Sequence, residues 1–223
     1  MEQSKTAYNR RAFLKSSFLA GGGLMISFSA LPGLALAEKA ELLNNVADWS
    51  EITGYIKITP DNIIKILNPN PEFGQNVMTA LPMILAEELD ADWKKVVVEM
   101  GHHDNVKLGP QFTGGSNSVR MYWKPLREAG AAARQMLREA AAQTWSVPLE
   151  EVTTKSGMLY HEKSGKSATY GSVASKAAAI PIPKGLKLKD VKDFKIIRTS
   201  RKNVEASKIL TGKPLFGLDY KYE

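Results

Sequence analysis

A run of small residues at helical spacing constrains the fold of this chain more than any other feature. Residues 124–144 are predicted to form a long helix, with Pro125 in the first turn, where its missing N–H is tolerated. Small and apolar residues repeat along one face of this helix, namely Ala129, Gly130, Ala133, Leu137, Ala140 and Ala141. Such a face lets a second backbone approach closely. We therefore expect another element to lie directly against it.

The other periodic segments predict an α+β fold, in which a mixed sheet is combined with two main helices. Two β-branched runs, at 53–59 and 62–68, are separated by a Pro-Asp pair and indicate a hairpin. Apolar residues recur at helical spacing from Gln75 onward, and Pro82 is expected to kink this first helix unless the helix starts late. Further strands are predicted at 95–100, 151–155 and 158–161, and a short helix at 171–179.

The first 37 residues have the three parts of a signal peptide. Arg10 and Arg11 precede an apolar middle at about 17–34, and small residues up to Ala37 suit cleavage after that position. Glycine and serine dilute the middle, whereas a membrane span needs about 20 mostly apolar residues. The segment resembles a twin-arginine signal, although Asn9 stands where Ser or Thr is usual. We expect export of the folded protein to the periplasm; an uncleaved amphipathic anchor is the alternative.

Charge and cysteine content narrow the range of partners and cofactors. The chain has 30 basic and 23 acidic residues, a net charge of +7. The predicted signal holds four of the basic residues and one acidic residue, which leaves 26 against 22, or +4. That excess does not favour a nucleic-acid partner. The chain has no cysteine, so it cannot itself supply thiolates to zinc or to an iron–sulfur cluster. Oxygen groups, nitrogen groups or backbone amides would have to hold a cofactor.

Two helix starts have the features of an anion-binding site. Gly74 and Gln75 stand at the start of the first helix, where unpaired N–H groups and the helix dipole favour phosphate. The Gln75 amide can also exchange hydrogen bonds with a pterin. The second segment precedes the long helix, is rich in glycine and hydroxyl groups, and comprises Thr113, Gly114, Gly115, Ser116 and Ser118. Taken alone, each segment could be an ordinary helix start, the second with a serine N-cap. Together they suit a ligand with a phosphate and a polar ring system.

The residues around both helix starts resemble a known family. The stretches P-E-F-G-Q-N-V-M-T-A-L-P and T-G-G-S-N-S-V-R-M-Y-W-K-P-L-R-E-A-G-A-A-A-R are similar to the large, molybdopterin-binding subunit of the isoquinoline 1-oxidoreductase beta-subunit type. That group includes periplasmic aldehyde dehydrogenases of the xanthine dehydrogenase superfamily. Its E-M-G-Q-G motif contacts the pyranopterin, and a small hydroxyl-rich segment cradles the same cofactor. Phe73 and Asn76 depart from that motif, although Asn tolerates the left-handed conformation that Gly would supply. The resemblance implies cofactor contacts by Gly74, Gln75, Thr113, Gly114, Gly115, Ser116 and Ser118.

The resemblance also implies an activity and a domain organisation. It implies a molybdenum hydroxylase that oxidises aldehydes or N-heterocycles, with molybdopterin, in its cytosine dinucleotide form, as the cofactor. Iron–sulfur clusters would lie on a separate small subunit. After the signal at 1–37, residues 38–180 would form the N-terminal part of the molybdopterin-binding domain. Residues 181–205 would form a basic linker, and 206–223 the start of an α/β hammerhead domain.

The same resemblance identifies no catalytic residue in this chain. The family's catalytic glutamate has no counterpart in the sequence, so we assign no catalytic residue and no metal ligand. We expect the remaining large-subunit polypeptide to come from elsewhere. We also expect the chain alone to be inactive and poorly stable, because the small-residue face at 129–141 and the partial hammerhead would lack their packing partners. The alternative is a truncated or split product that binds only pterin or a partner chain.

Other polar residues have simpler interpretations. His102 and His103 could ligate a metal, but a solvated loop is favoured because adjacent histidines usually point apart. Glu87 and Glu88 are predicted to lie on an ordinary helix face. The basic stretch at 184–202 is predicted to pack along the domain surface rather than to bind an anionic partner.

Overall fold

A computed structural model describes residues 24–27, 54–101, 103 and 111–221 of the chain. The predictions for Arg10, Arg11, the cleavage position after Ala37 and His102 lie outside these residues. So do residues 104–110 of the long loop.

The first sheet has four strands in the order β1-β2-β3-β4. The pairs β1–β2 and β2–β3 are antiparallel, so the predicted hairpin is confirmed. Helix α1 crosses between β3 and β4, which are parallel, and the sheet is therefore mixed as predicted. The bounds are β1 (Leu24–Ser27), β2 (Gly54–Ile58), β3 (Ile64–Asn68), α1 (Val77–Glu88) and β4 (Val96–Met100).

β1 was not predicted, because it lies within the segment that the sequence indicates as a signal peptide. Its register places Leu24 opposite Ile58 and Ile26 opposite Ile56. The pairing gives these four residues a place at the edge of the sheet. Export and cleavage of this segment stay predictions.

The second sheet has three antiparallel strands in the order β5-β6-β7. β7 was not predicted, because the run K-S-A-T has little intrinsic strand preference and is fixed by its pairing with β6. Asn62, in the β2–β3 turn, joins the two sheets: its side chain donates to Gly157 O and accepts from Gly171 N. The bounds are β5 (Val152–Lys155), β6 (Met158–His161), β7 (Lys166–Thr169) and α3 (Tyr170–Ala178), and a short α4 (Ala206–Leu210) follows near the C-terminal side.

Helix α2 (Ser118–Trp145) is the long helix, and it begins six residues earlier than predicted. Its small-residue face packs on α1. A Cβ added to Gly130 would lie 2.4 Å from Leu85 O, so the two helix backbones are in direct contact there. The predicted close approach is confirmed. The expectation that this face lacks a packing partner is wrong, because α1 of the same chain covers it.

The basic stretch that follows α3 packs on the C-terminal end of α1. We call residues 187–197 the strap. Lys189 Nζ lies 3.0 Å from Glu87 Oε1 and 2.5 Å from Asp90 Oδ1. The backbone N–H groups of Lys195, Ile196 and Ile197 donate to Glu87 Oε2 at 2.9, 2.6 and 3.0 Å. The prediction that this stretch packs along the domain is therefore confirmed.

The strap overturns the prediction for Glu87 and Glu88. Both side chains are buried rather than placed on a solvated helix face. Glu88 Oε1 accepts from Arg127 Nε at 2.7 Å, and its carboxylate also accepts from Lys189 N. Burial alone would raise the pKa of Glu87, but hydrogen bonds from the strap, above all from Ile196 N–H and Lys189, outweigh it and hold the pKa below its usual value.

None of the helices in residues 24–27, 54–101, 103 and 111–221 is both long and apolar enough to cross a bilayer.

Candidate cofactor-binding site

The two glycine-containing segments predicted to bind a cofactor meet at the carboxyl ends of β3 and β4. Asn68 ends β3 and pairs with Met100, which ends β4. The first segment follows Asn68, and the second follows the loop after Met100. In sheets with parallel strands and crossover helices, ligands bind outside the carboxyl ends of the strands. The topology therefore places both segments where such folds hold their ligands.

Side-chain hydrogen bonds join the two segments directly. Asn70 Nδ2 donates to Phe112 O at 2.9 Å and to Ser118 Oγ at 2.8 Å. Thr113 Oγ1 donates to Pro71 O at 2.9 Å. Thr113 and Ser118 are thus brought against the segment that carries Gly74. Asn70 was missed at the level of sequence, although a polar residue between two prolines just after a buried strand is a signal that could have drawn attention to it.

The start of α1 is already occupied by a carboxylate of the chain. Glu72 Oε1 accepts from the N–H groups of Gly74 and Asn76 at 2.8 and 2.9 Å, and Glu72 Oε2 accepts from Met78 N–H at 2.9 Å. Asn76 has a φ of 70°, so it adopts the left-handed conformation expected of it. The N–H groups at this helix start, which the sequence predicted to bind an anion, are therefore already bonded to the Glu72 carboxylate.

Gln75 is folded back onto its own loop. Its Oε1 accepts from Phe73 N–H at 2.8 Å, and its Nε2 donates to Pro71 O at 3.1 Å. Gly74, with a φ of 111°, and Gln75 are both exposed, and nothing stands within 4 Å of a Cβ built on Gly74. A ligand can reach this backbone, and the cofactor contacts of Gly74 and Gln75 stay predictions.

The start of α2 differs from that of α1 in having no side-chain cap. Its N-cap is Asn117 rather than a serine, and the Asn117 side chain makes no capping hydrogen bond. That side chain instead accepts from Arg120, whose Nη2 lies 2.8 Å from Asn117 Oδ1. The first turn contains no acidic residue. A cation and uncapped N–H groups therefore stand together at this helix start.

The glycines and hydroxyls before α2 form a tight turn. Gly115 and Ser116 both have positive φ, 57° and 55°, and both are exposed. Gly114 lies under the ring of Phe112, because a Cβ built on it would stand 2.4 Å from Phe112 Cζ. Thr113 and Ser118 are half-buried. The predicted residues of the second segment are thus contiguous in space.

Three asparagines at this end of the sheet carry a buried acceptor without a hydrogen-bond partner among the described residues. The atoms are Asn68 Oδ1, Asn70 Oδ1 and Asn76 Oδ1. An unpaired buried polar atom costs about 1–3 kcal/mol, and folded proteins keep few of them. Since the carbonyl of Phe112 can only accept, the amide nitrogen of Asn70 must face it, and the unpaired atom is the oxygen.

A cleft opens beside Gly74. Glu72, Gly74, Met78 and Met100 line one side, and residues within 203–220, including Phe216, line the other. The first segment therefore faces the part of the chain for which a hammerhead start was predicted.

The remaining histidines give no metal site in the part of the chain that the structure describes. His161 is buried; its Nδ1 lies 2.7 Å from Ser164 Oγ and its Nε2 lies 2.8 Å from Glu151 Oε2. His103 is exposed. Within the described ranges, no group of three or more His, Asp or Glu side chains is arranged to hold an ion.

Comparison with known proteins identifies the class to which this fold and site belong. A family model described as a molybdopterin cofactor-binding domain matches residues 20–211, which is most of the chain. The protein belongs to the molybdopterin cofactor-binding domain family. The resemblance inferred from the two helix-start motifs is thereby confirmed.

The individual proteins to which this chain is similar are named as oxidoreductases. Isoquinoline 1-oxidoreductase subunit beta of Brevundimonas diminuta is 38% identical over 164 residues, covering 71% of this chain and 20% of that protein. The membrane-bound aldehyde dehydrogenase (pyrroloquinoline-quinone) of Gluconacetobacter polyoxogenes is 31% identical over 228 residues, covering 99% of this chain and 29% of that protein. Among solved structures, quinoline 2-oxidoreductase from Pseudomonas putida 86 superposes with a TM-score of 0.45 at 17% identity, covering 59% of this chain and 17% of that one. The chain thus spans less than a third of the length of these curated relatives.

Proposed function

We propose that this chain forms part of the molybdopterin-binding surface of a molybdenum-dependent oxidoreductase that acts on aldehydes or N-heterocycles. The observation that carries the proposal is the meeting of the 70–76 and 112–118 segments at the carboxyl ends of β3 and β4, in a chain of the molybdopterin cofactor-binding family. The names of the matched relatives support the substrate classes.

The groups present at this site fit a phosphorylated pterin. The uncapped start of α2, the adjacent Arg120 and the hydroxyl of Ser118 can donate to phosphate oxygens. The unpaired oxygen of Asn70 can accept from a ring N–H or an amine. When bound, a molybdenum–pterin group supplies the two-electron redox chemistry. The residues of this chain bind and orient that group.

Activity is proposed for the assembled enzyme rather than for this chain alone. The chain corresponds to 20% of one relative and 29% of another. One of those relatives is named as a beta subunit, which supports the presence of partner subunits. We propose that further large-subunit polypeptide and an iron–sulfur small subunit complete the enzyme. Isolated chain that is inactive but regains activity with these parts would support this assignment. Turnover by the isolated chain would contradict it.

Cellular location is part of the same proposal. The paired arginines and weakly apolar segment of residues 1–37 support twin-arginine export to the periplasm, which carries proteins that fold around a cofactor before crossing. Replacing Arg10 and Arg11 with lysine should leave the protein in the cytoplasmic fraction. Unchanged periplasmic recovery of the doubly substituted protein would refute the export assignment.

Cofactor content tests the proposal most directly. The full chain, produced with its partner subunits in a bacterium that makes molybdopterin, should carry molybdenum and release a fluorescent oxidised pterin in equal molar amounts. The same sample should be analysed for pyrroloquinoline quinone, because that cofactor appears in the name of one relative. Quinone without pterin would overturn the proposal. Replacement of Gln75 with alanine should lower the pterin content if Gln75 holds the cofactor.

A further inference from the structure

We propose that a small cavity beside the strap binds a doubly charged oxyanion of the phosphate or sulfate kind. The strap and the C-terminal end of α1 form part of the cavity wall, and the side chains that would hold the ion are those of Lys155, Ser156, Lys195 and Arg201. The inference concerns a second site and does not depend on the proposed function.

The cavity lies away from the candidate cofactor site. Glu87 and Trp93 are among the residues that line it, so it stands between the C-terminal end of α1 and the start of β4. Gly74 precedes the other end of α1. The helix has 12 residues and rises about 1.5 Å per residue, so its two ends are about 18 Å apart. None of the residues that line the cavity belongs to the 70–76 or 112–118 segments.

Arg201 is the side chain that most clearly lacks a partner at this cavity. It is half-buried, and its Nε is a buried donor without a hydrogen-bond partner among the described residues. The ion pairs within the described ranges do not include it either. A guanidinium stays charged in proteins, and removing its water without supplying an acceptor costs free energy. The guanidinium of Arg201 is therefore suited to an acceptor on a ligand.

Two further cations reach the cavity from separate parts of the fold. Lys155 ends β5 and Lys195 lies in the strap, and both are exposed. The basic stretch at 184–202 was predicted to pack along the domain, and Lys189 does so, but Lys195 and Arg201 of the same stretch form no ion pair with a described residue. Like charges around one cavity repel each other, and a bound anion relieves that repulsion.

The acidic residues of the cavity wall are already bonded within the chain. Glu87 and Asp90 share Lys189 Nζ, at 3.0 and 2.5 Å, and Asp92 Oδ1 accepts from Lys94 N–H at 3.0 Å. The described residues that line the cavity include five basic and three acidic ones, which leaves two positive charges in excess. A doubly charged anion matches this excess.

Size and donor types narrow the chemical class of the ligand. The cavity has a volume of about 240 Å³. A water molecule takes about 30 Å³ of the liquid, and pockets for drug-sized ligands have about 300–1,000 Å³, so the cavity suits an ion of a few heavy atoms. The planar guanidinium of Arg201 can donate two parallel hydrogen bonds to such an ion, and the two lysines and the Ser156 hydroxyl can bond its other oxygens.

A bound oxyanion would join three segments that are distant in sequence. These are the β5–β6 turn, the strap and the residues at 198–201. The last of them leads into residues 203–220, part of which lines the cleft beside Gly74. Occupancy of the cavity should therefore slow hydrogen exchange at residues 195–201.

Titration of the ¹⁵N-labelled full chain with inorganic phosphate, at constant ionic strength, tests the site. The backbone amide resonances of Ser156 and Arg201 and the indole N–H resonance of Trp93 should shift and saturate. The indole of Trp145 is the internal control and should not move, because Trp145 ends α2 and does not line the cavity. Absence of a saturable shift at Ser156 and Arg201 overturns the inference.

The Arg201→Gln variant removes the half-buried cation. It should weaken phosphate binding by at least about tenfold, because charge-assisted hydrogen bonds to the ion are lost. Arg198→Gln is the matched control: Arg198 is an exposed arginine three residues away that does not line the cavity. It should change the dissociation constant by less than about twofold. Equal weakening in the two variants would reduce the effect to net charge and overturn the inference.

A second variant decides if Arg201→Gln does not fold. Lys155→Gln changes an exposed side chain at the cavity and should weaken phosphate binding by at least about threefold. Wild-type affinity in a folded Arg201→Gln, or in Lys155→Gln where that variant decides, overturns the inference.

Sulfate and glycerol 3-phosphate identify the source of the oxyanion. Sulfate that binds as tightly as phosphate assigns a free inorganic ion to the cavity, whereas tighter binding of glycerol 3-phosphate assigns the phosphate group of a small metabolite. Either result places an oxyanion at Arg201, and failure of all three probes to shift its amide overturns the inference. These outcomes are distinct from failure of the proposed function, in which the purified enzyme would contain no pterin.

Discussion

Gly130 of α2 lies so close to Leu85 of α1 that a Cβ on Gly130 would stand 2.4 Å from the Leu85 carbonyl oxygen. The same Cβ would be 2.9 Å from Glu88 Cβ. Both of these atoms lie at or next to the backbone of α1 and not at the far end of a flexible side chain. The two helices would therefore have to separate to admit even a methyl group. The contact fixes the depth at which α2 sits on α1, and α2 in turn carries Ser118 at its start.

Replacement of Gly130 with alanine should therefore destabilise the protein. Overpacking of this kind costs about 1–3 kcal/mol, which exceeds the gain of under about 1 kcal/mol that alanine brings to a helix interior. The free energy of unfolding from urea titration measures the difference. Gly217→Ala is the matched control, since nothing lies within 4 Å of a Cβ at that position. Equal stability of the two variants would show that the helices yield at this contact.

Replacement of Glu72 with alanine should destabilise the start of α1. The variant loses an acceptor for three backbone N–H groups, an effect of about 1–2 kcal/mol by comparison with other helix caps. Hydrogen exchange should show faster exchange at Gly74, Asn76 and Met78 and unchanged exchange in α2. Glu99→Ala is the control, because an exposed ion pair contributes about 0–1 kcal/mol. Unaltered exchange at these three amides would mean that water replaces the carboxylate without cost.

Acid should release the strap from α1. The folded-state pKa values of Glu87 and Asp90 lie below their usual values: burial alone would raise both, and hydrogen bonds and charge from the strap and from Thr154 and Arg134 outweigh it. A group with a depressed folded pKa stabilises the fold above its unfolded pKa, and this contribution is lost as pH falls through the folded value. Stability should therefore fall as the pH is lowered below about 5, with loss of protection at residues 187–197.

The Glu87→Gln variant separates the contribution of Glu87 to this acid dependence. The variant should be less stable at neutral pH by about 1–3 kcal/mol, because Lys189 loses one of its two charged partners and keeps Asp90. Its stability should also change less between pH 5 and pH 2 than that of the wild type. Glu139→Gln, at a half-buried position of α2 away from the strap, serves as the control with a wild-type pH profile. An unchanged slope in Glu87→Gln would assign the acid dependence to other carboxylates.

Replacement of Asn62 with alanine should loosen the contact between the two sheets. Its side chain joins the β2–β3 turn to Gly157 and to the start of α3, and its φ of 67° is one that alanine adopts at a cost of about 1–2 kcal/mol. With two buried hydrogen bonds lost as well, we expect a destabilisation of about 2–4 kcal/mol. Asn62→Gly removes the backbone term and should recover part of this loss. Equal stability of the two variants would show that the side-chain bonds alone account for the effect.

The elements defined by contiguous residues were predicted well. The β2–β3 hairpin, α1, β4, β5 and β6 lie within a few residues of their predicted bounds, because strand and helix periodicity are properties of neighbouring residues. α2 begins earlier than predicted because Pro125 is tolerated inside it rather than at its first turn. β1 was missed because it lies within the segment that the sequence indicates as a signal peptide, and β7 was missed because it depends on a partner strand rather than on its own sequence.

The candidate site was predicted in its segments but not in its interactions. Gly74, Gln75 and the 113–118 segment were found from glycine, hydroxyl groups and the starts of helices. That Glu72 would fill the start of α1, and that Asn70 would reach Ser118, depended on the fold of the loop and on a partner 48 residues away. Hydrogen bonds over such separations leave no periodic trace in a single sequence.

The sequence by itself determined the helical and strand segments and a helix face of small residues that requires a second backbone against it. It also contains the motifs by which the chain resembles the molybdopterin cofactor-binding family. Tertiary structure alone decided which charges are buried. Glu87 and Glu88 occupy positions that suit a solvated helix face, yet the strap, about 100 residues later, covers them with Lys189 and with backbone N–H groups. The physical reason is that periodicity is set locally, whereas the free energy of a buried carboxylate depends on donors that only folding brings to it.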